Sequence, residues 1–536
     1  MNRAEVDVTR RIGEAVGGRL GARRASAVEW VGRDRSATVV GVVGLAAALW
    51  VGGLLVGRTS GLAASDYDLG FFQQLVWNVG QRGQWVSSFH LGSFLGLHFS
   101  PLLLVPAALE RFLWSDVRVL NLLHAAAIGA LVPAAFLLFR AVLRPSRAAG
   151  PMAAALAVGI PLWGATQEVI RADFHPETIG VVLAMLAGWA GLTRRSRLMW
   201  VLAILALTSR EDVAYAVLVI GLLVAARGPG GMQRQGRFLA AVALGWGLIV
   251  FGVLMPWIRH GVVTDIDRYY GWLGSGPGLL LAPFTKGDLV FHAIARPTPW
   301  YALAGMIAAL AGLPLLRPRW LLLAGPPVAA VLLSAHRWQA DLLLQYPLIL
   351  YVPLMVAAAL GGRRAIVLGQ RIRRRSRSSS KRRLKLEPRP VVRRRGVPML
   401  TALAALLLTM PAIADGSIQG AIPPFDATDV TLSAHPGAID ETARFVAAIP
   451  PDVLLIADAG LVVPFAGRRA IVQLTSLATL PDHAYVLVDR SPALDGGWSP
   501  ARRATELLEL NTRRRPIVMD DGRFVLWGPV PSPGVP

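Results

Sequence analysis

Four short stretches combine carboxylates, histidines and an arginine at spacings suited to moving a proton or holding a phosphate. They are Ser65-Asp66-Tyr67-Asp68, His90 with His98, Asp173-Phe174-His175-Pro176-Glu177, and Arg210-Glu211-Asp212. The segment from Arg259 to Tyr270 adds Asp265, Asp267 and Arg268. A carboxylate close to a hydroxyl can act as its general base, and a histidine can orient the substrate. The Asp-x-Asp and His-x-Glu spacings also suit Mg²⁺ or Mn²⁺, whose oxygen ligands can be shared with a phosphate. If a metal takes part, Asp66 and Asp68 are its candidate ligands. The chain has no cysteine, which excludes disulfides, thiolate metal sites and a cysteine nucleophile.

Each stretch also has a plainer reading. Asp68 precedes the amphipathic LGFFQQLVWNVGQ (69–81) and could be its N-cap. Pro176 and Glu177 suit the first turn of the next helix, where proline is preorganised and an acid meets the helix dipole. Arg210 with Glu211 or Asp212 could be an ion pair that joins two half-helices. His124, inside an apolar run, suits an interhelical hydrogen bond.

The elements that must position these residues are membrane helices. Of 536 residues, 54% are hydrophobic and 16% are charged, and mean hydropathy is +0.50. An ordinary soluble domain carries about 25% charged residues. The composition therefore implies a mainly α, polytopic transmembrane bundle. The first apolar run, 37–57, would reach about 31 Å as a helix. The segment 1–36 before it holds eight arginines and five acids, which places the N-terminus in the cytoplasm and makes the run an uncleaved anchor.

Arginine clusters then set each turn of the chain. Arg140, Arg144 and Arg147; Arg194, Arg195 and Arg197; Arg227, Arg234 and Arg237; and Arg317 with Arg319 all fall inside. The alternation gives about eleven spans. All four polar stretches face outward, as do eight of the nine histidines; His124 is the exception. The apolar stretches 95–113 and 279–295 do not fit as full spans and read as re-entrant or interfacial helices. Pro101 and Pro106 would interrupt a straight helix in the first. Leu198 to Thr208 covers only about 16 Å, half a bilayer, and puts Arg210-Glu211-Asp212 below the outer surface. Charge persists at that depth where it is paired or lines a wet cavity.

The domains follow: a cytoplasmic segment 1–36, a membrane core 37–360, a basic loop 361–397, a last helix 398–414 and an extracytoplasmic α/β domain 415–536. The basic loop has 15 Lys/Arg against the single acid Glu387, supplying most of the net charge of +22. It suits anionic lipid headgroups, and without aromatic residues to stack on bases it is not a nucleic-acid site. The tail has 10 Lys/Arg against 14 Asp/Glu. It reads as helices at 438–449 and 501–510 with strands at 452–457, 470–474, 484–488, 515–519 and 523–527. No Gly-rich phosphate loop joins strand to helix, so nucleotide binding is not expected.

DYDLGFFQQLVWN (66–78), HFSPLLLVPAALE (98–110), FHPETIG (174–180) and SREDVAYAV (209–217) occur in this order. Together they resemble the bacterial membrane-protein family called domain of unknown function 2079. The resemblance covers roughly residues 60–360 and continues weakly at LVVPFAGRRAIVQL (461–474). The chain departs from that family's late aromatic-His pattern at Gln345-Tyr346, and from its Pro-His tail motif at Pro464-Phe465.

The resemblance implies a GT-C-like fold and an enzyme that takes a sugar from a polyprenyl-phosphate donor on the outer face of the bacterial plasma membrane. It implies that an acid early in the first outer loop, Asp66 or Asp68, is the catalytic base. His98, Asp173, His175, Glu177, Arg210, Glu211 and Asp212 then serve substrate and phosphate, with Arg171 and Arg259 as further cations. The competing reading is a transporter or flippase of a lipid-linked or polar substrate, for which broken helices and buried charge are equally suited. Concentration of the outer motifs before residue 270, without similarity between halves, favours the enzyme.

Overall fold

The computed structural model describes residues 34–64, 66–262, 265–274, 278–383, 397–420, 437–474, 480–490 and 515–531, with a few isolated residues between 422 and 512. The chain is mainly helical and ends in a small mixed sheet. Its principal helices are α1 (Arg35–Ser60), α2 (Phe71–Arg82), α3 (Leu104–Phe112), α4 (Arg118–Leu143), α5 (Ala149–Val158) and α6 (Gly164–Arg171). They continue with α7 (Pro176–Leu192), α8 (Ser196–Leu207), α9 (Val213–Arg227), α10 (Met232–Ile249), α11 (Leu348–Arg383) and α12 (Val397–Gln419).

Helix α1 starts where the Asp34 carboxylate accepts the Ala37 amide at 3.4 Å. It is apolar all round: Val51 and Leu55 are buried against the bundle, while Leu45 and Leu49 are 62% and 68% exposed. A helix with no polar face whose outer leucines stay uncovered belongs in lipid. Helix α10 repeats the pattern with exposed Phe238, Leu244 and Leu248.

Among the described residues four helices are long and apolar enough to cross a membrane, or five if the bent pair Ala149–Leu162 and Gly164–Arg171 forms one span. The other apolar helices, such as α7, α8 and α9, have 10–17 residues. Length alone therefore accounts for fewer spans than the eleven expected from the arginine alternation. These shorter helices pack side by side, as α8 on α7 and α9 on α10.

The stretch 95–113 is cut by Pro101 into a short turn of helix, a 3₁₀ turn and α3. The stretch 279–295 forms two short helices, Gly278–Thr285 and Gly287–Ala295. Arginines from separate loops gather together, with Arg227 in electrostatic reach of Arg317 and Arg363. The basic segment begins as a continuation of α11 to Arg383, and residues 384–396 lie outside the described residues.

The tail forms a five-stranded sheet of β1 (Leu455–Ala457), β2 (Ile471–Gln473), β3 (Tyr485–Asp489), β4 (Ile517–Asp520) and β5 (Phe524–Trp527) in the order β2-β1-β3-β5-β4. Strand β1 is parallel to β2 and β3, with Leu455 opposite Ile471 and Tyr485. Strand β5 is antiparallel to both β3 and β4. The helical segment at 438–449 is broken into Ala438–Glu441 and Ala443–Ala448, and most of 501–510 lies outside the described residues. Phe445, Phe465 and Phe524 fill the core beneath the sheet.

The tail packs against the loop that follows α1 and the start of α2. A Cβ on Gly460 would stand 2.5 Å from the Leu62 carbonyl oxygen, so only glycine permits this approach. The Gln74 side chain, fully buried, completes the junction. Its Nε2 donates to Ser88 Oγ at 2.8 Å and to the carbonyls of Arg468 and Arg469 at 3.3 Å. Its Oε1 accepts from Ser87 Oγ and the Ser88 amide, both at 2.8 Å.

Candidate active site

The turn that carries the first carboxylates is a π-helical segment, Asp66–Gly70, which runs into α2. Asp68 does not cap that helix; the N-cap position is Gly70 and has no side-chain hydrogen bond. Asp68 Oδ1 instead lies 3.7 Å from Nε2 of His175, a buried ring that also meets the edge of Phe72 at 5.4 Å. The Asp66 side chain lies outside the described residues.

His175 is presented by the bend between α6 and α7. Its backbone is extended, as a residue before proline prefers, and Pro176 opens α7. Two residues earlier Asp173 is left-handed, with φ of 59°. An aspartate tolerates that region at a cost, and here it is held from outside the bend. Arg58, in the last turn of α1, donates from Nη1 to Asp173 Oδ1 at 3.1 Å and to the Arg171 carbonyl at 3.4 Å. Both Arg58 and Asp173 are buried.

Arg210 lies in the break between α8 and α9, beside the first turn of α7. It donates from Nη1 to Glu177, and its Nε stands 3.7 Å from both Glu211 and Asp212. Glu211 is taken up from its other side by His98 Nδ1 at 2.7 Å and the Phe99 amide at 2.8 Å. The Leu102 amide also donates to the Thr208 carbonyl at 2.8 Å, so the His98 loop lies directly on this break. Gly180 makes the approach possible: a Cβ there would stand 2.0 Å from Ser209 Oγ and 2.9 Å from Ser209 Cβ. His175 is in electrostatic reach of Arg210 and His98. The expected residues Asp68, His98, His175, Glu177, Arg210, Glu211 and Asp212 thus form one continuous cluster.

Other residues singled out in the sequence stand differently. Asp173 belongs to the Arg58 pair, which fixes the bend. Arg171 donates to Glu168 at 2.8 Å, and Arg259 packs its Cα and Cβ against Gly96. Asp267 and Arg268 are exposed on a short helix, Asp265–Tyr270, and His90 bridges back to Ser87. His124 is fully buried, with Nε2 3.2 Å from the Val169 carbonyl. Among the described residues no three His, Asp or Glu side chains converge in a way that would hold a metal ion. The expected pair of Asp66 and Asp68 is not covered by that finding.

Beside the cluster opens a small cavity of about 60 Å³. Glu177, Arg210 and Asp212 line one side; Gln339, Gln345 and Tyr346 come from the loop before α11. That loop is strained at Leu342 and Leu344, with φ of 57° and 54°, and is pinned where the Leu344 amide donates to Glu168 Oε2 at 2.9 Å. Tyr346 meets His336, which stacks on Tyr269 with centroids 4.3 Å apart. None of Arg58, Glu168, Gln339 or His336 stood out in the sequence. Glu168 alone carried a signal, as an acid within an apolar stretch.

Among solved structures the chain is similar to ArnT from Cupriavidus metallidurans bound to undecaprenyl phosphate, with 13% identity, 91% of this chain and 97% of that one covered, and a TM-score of 0.42. It is likewise similar to ArnT from the same organism in the apo state, with 15% identity, 94% and 98% covered, and a TM-score of 0.42. No curated protein matches the chain in sequence. The profile of the family described as Predicted membrane protein (DUF2079) matches residues 58–522, from the last turn of α1 through the turn before β5. That span includes every residue of the cluster, and the chain belongs to the DUF2079 family of membrane proteins.

Proposed function

We propose that the protein is an inverting, GT-C-like glycosyltransferase of the bacterial plasma membrane, which moves a sugar from a polyprenyl phosphate to an acceptor hydroxyl at the outer face. The observation that carries the reading is the seating of the Asp66–Asp68 turn on His175, next to the buried Glu177–Arg210–Asp212 set. It joins a proton acceptor in an outer loop to a polar cavity at the ends of membrane helices. Such a place can be reached by a lipid-borne donor and by an acceptor from water.

The acceptor oxygen attacks the anomeric carbon as the bond from that carbon to the phosphate oxygen breaks. The hydroxyl proton passes to a carboxylate of the turn, and polyprenyl phosphate leaves with the bonding electrons. Asp66 is assigned the base, and Asp68, facing His175, the positioning of the turn. The departing phosphate needs positive charge. Arg259, packed on Gly96 in the loop that carries His98, is assigned that part.

The test is native mass spectrometry of the detergent-purified protein with a panel of polyprenyl-phosphate sugars, for wild type, Asp66→Asn and Asp68→Asn. Retention of one donor, with slow loss of its sugar in wild type and not in Asp66→Asn, is the expected result. Equal turnover in the Asp66→Asn protein would discard the base assignment. The 45° bend between the two halves of the α5–α6 pair is the feature that favours the transporter reading. Retention of no donor, with substrate flux in liposomes, would establish that reading instead.

A further inference from the structure

Four arginines from three separate parts of the chain meet where α9 packs against α11. Arg227 is the last residue of α9, Arg317 follows a 3₁₀ turn at Leu313–Leu316, and Arg363 and Arg364 lie within α11. A glycine brings them together. A Cβ on Gly361 would stand 1.9 Å from the Leu313 carbonyl oxygen, so α11 lies directly against the backbone of that turn. Arg364 Nη1 donates to the Leu316 carbonyl at 2.9 Å, which ties the two elements together. Arg227, at the end of the helix beside α11, is in electrostatic reach of both Arg317 and Arg363.

Like charges repel, so this gathering is unfavourable by itself. The chain offers little to offset it. Among the described residues none of the four arginines forms an ion pair with a carboxylate. The stretches 221–240, 311–320 and 361–383 contain no aspartate or glutamate at all. The dipole of α9 favours Arg227 alone, and the Leu316 carbonyl takes up one N–H of Arg364 alone. Arginine at the end of a membrane helix is ordinary as a signal of orientation. That signal needs positive charge in a loop, and does not need arginines of distant segments to converge on one glycine contact.

The chemistry of the counter-charge can be read from the residues. All four cations are arginine, whose planar fork meets phosphate oxygens two at a time. Uncovered apolar side chains adjoin them: Leu315, in the same 3₁₀ turn, is 59% exposed, and Leu322, in the next turn against α11, is 73% exposed. A free anion has no use for that surface, whereas a lipid presents phosphate and hydrocarbon side by side.

We propose that Arg227, Arg317, Arg363 and Arg364 bind the phosphate headgroup of one anionic phospholipid, whose acyl chains lie along Leu315 and Leu322. The site is built of ordered helix ends, so it is separate from the diffuse attraction expected of the basic loop, and it does not depend on the transferase reading. The bound lipid supplies the charge that the chain lacks and so holds the end of α9 to α11.

The experiment is native mass spectrometry of the full-length protein in detergent, titrated with phosphatidylglycerol or phosphatidylethanolamine, with inorganic phosphate as competitor. The expected result is retention of phosphatidylglycerol about tenfold more tightly than phosphatidylethanolamine, undiminished by phosphate in excess. Arg317→Gln with Arg363→Gln should weaken that retention about tenfold. Arg194→Gln with Arg197→Gln removes the same charge from two exposed residues where α7 meets α8, and should leave it unchanged. Equal losses in the two double variants would reduce the effect to diffuse charge and overturn the site. Equal retention of the two lipids would overturn it as well. Displacement by inorganic phosphate would make a free anion the ligand and overturn the lipid assignment. The wild-type comparison of lipids and phosphate does not depend on any variant folding.

Discussion

His98 Nδ1 lies 2.7 Å from Glu211 Oε1, and the next residue's amide donates to the other oxygen of the same carboxylate. Two loops 113 residues apart in sequence are joined at a side chain that is 3% exposed. His98→Leu leaves Glu211 with the Phe99 amide and a distant Arg210. The variant is expected to lose about 1–3 kcal/mol, read as a lower melting temperature in detergent. His98→Gln, which can still donate, should recover most of the loss. Equal melting of the Leu and wild-type proteins would show that the contact contributes nothing.

The Arg58–Asp173 pair joins the end of α1 to the bend that presents His175. Arg58→Met removes the cation paired with a carboxylate that is fully buried, and breaking such a pair costs about 3–5 kcal/mol. Asp173→Asn in the same protein removes the buried negative charge and should restore a large part of that. Donor turnover should fall in the single variant even below its melting temperature, because His175 loses its fixed place. A double-mutant cycle on melting temperature measures the coupling.

Gly180→Ala places a methyl group against both Ser209 Oγ and Ser209 Cβ, with Val213 Cγ2 3.0 Å away. Rotating the hydroxyl does not relieve the clash with Cβ, so α7 and the Arg210 break must move apart. A loss of about 1–3 kcal/mol is expected. Ser209→Gly added to Gly180→Ala should return the melting temperature towards that of wild type. A Gly180→Ala protein that melts like wild type would show that the break yields freely.

Glu110, in the short helix α3, accepts from Gln73 Nε2 at 2.9 Å, and burial pushes its carboxyl from the ordinary 4.5 up to about 7. Between those values the folded chain holds a proton that the unfolded chain has released. Stability from this group is therefore complete below pH 4.5 and falls as pH rises towards 7. Glu110→Gln should flatten that slope and raise stability at pH 8 by about 1–3 kcal/mol. Melting curves of the two proteins across pH 5 to pH 8 check the sign.

The parts of this arrangement that were legible in the sequence are those with a local cause. Pro101 breaks its helix wherever that helix sits, and Leu198 to Thr208 is too short to span whatever packs beside it. Concentration of Asp, Glu and His between the apolar runs follows from the cost of burying charge in lipid. The tail strands follow from short apolar runs between turn residues. What was not legible depends on contact between distant residues. Arg58 reads as one arginine at a helix end until Asp173, 115 residues later, is brought to it. Asp68 reads as a cap because caps are decided within three residues, whereas His175 lies far along the chain. Gln339, Gln345 and Tyr346 are ordinary loop residues by type, and gain meaning only opposite Glu177 and Asp212. The span count inferred from arginines rests on charge between apolar runs, whereas helix length alone picks out four or five candidates among the described residues.

The bonds made by Gln74 reach residues 394 and 395 positions later. That distance has a consequence for biosynthesis. The loop after α1 leaves the ribosome early, yet the chain segment that completes it is made almost 400 residues later. At about 5–20 residues per second, the loop waits about 20–80 s for its partner. During that interval Leu75 and Val76 already have Phe94, Leu103, Ala107, Leu120 and Phe174 of their cluster, and lack Val463 and Ile439 of the tail. Closure of this junction is thus a late step in folding, and a chain stopped before β1 should leave the Gln74 amide without the two carbonyls that it meets in the full chain.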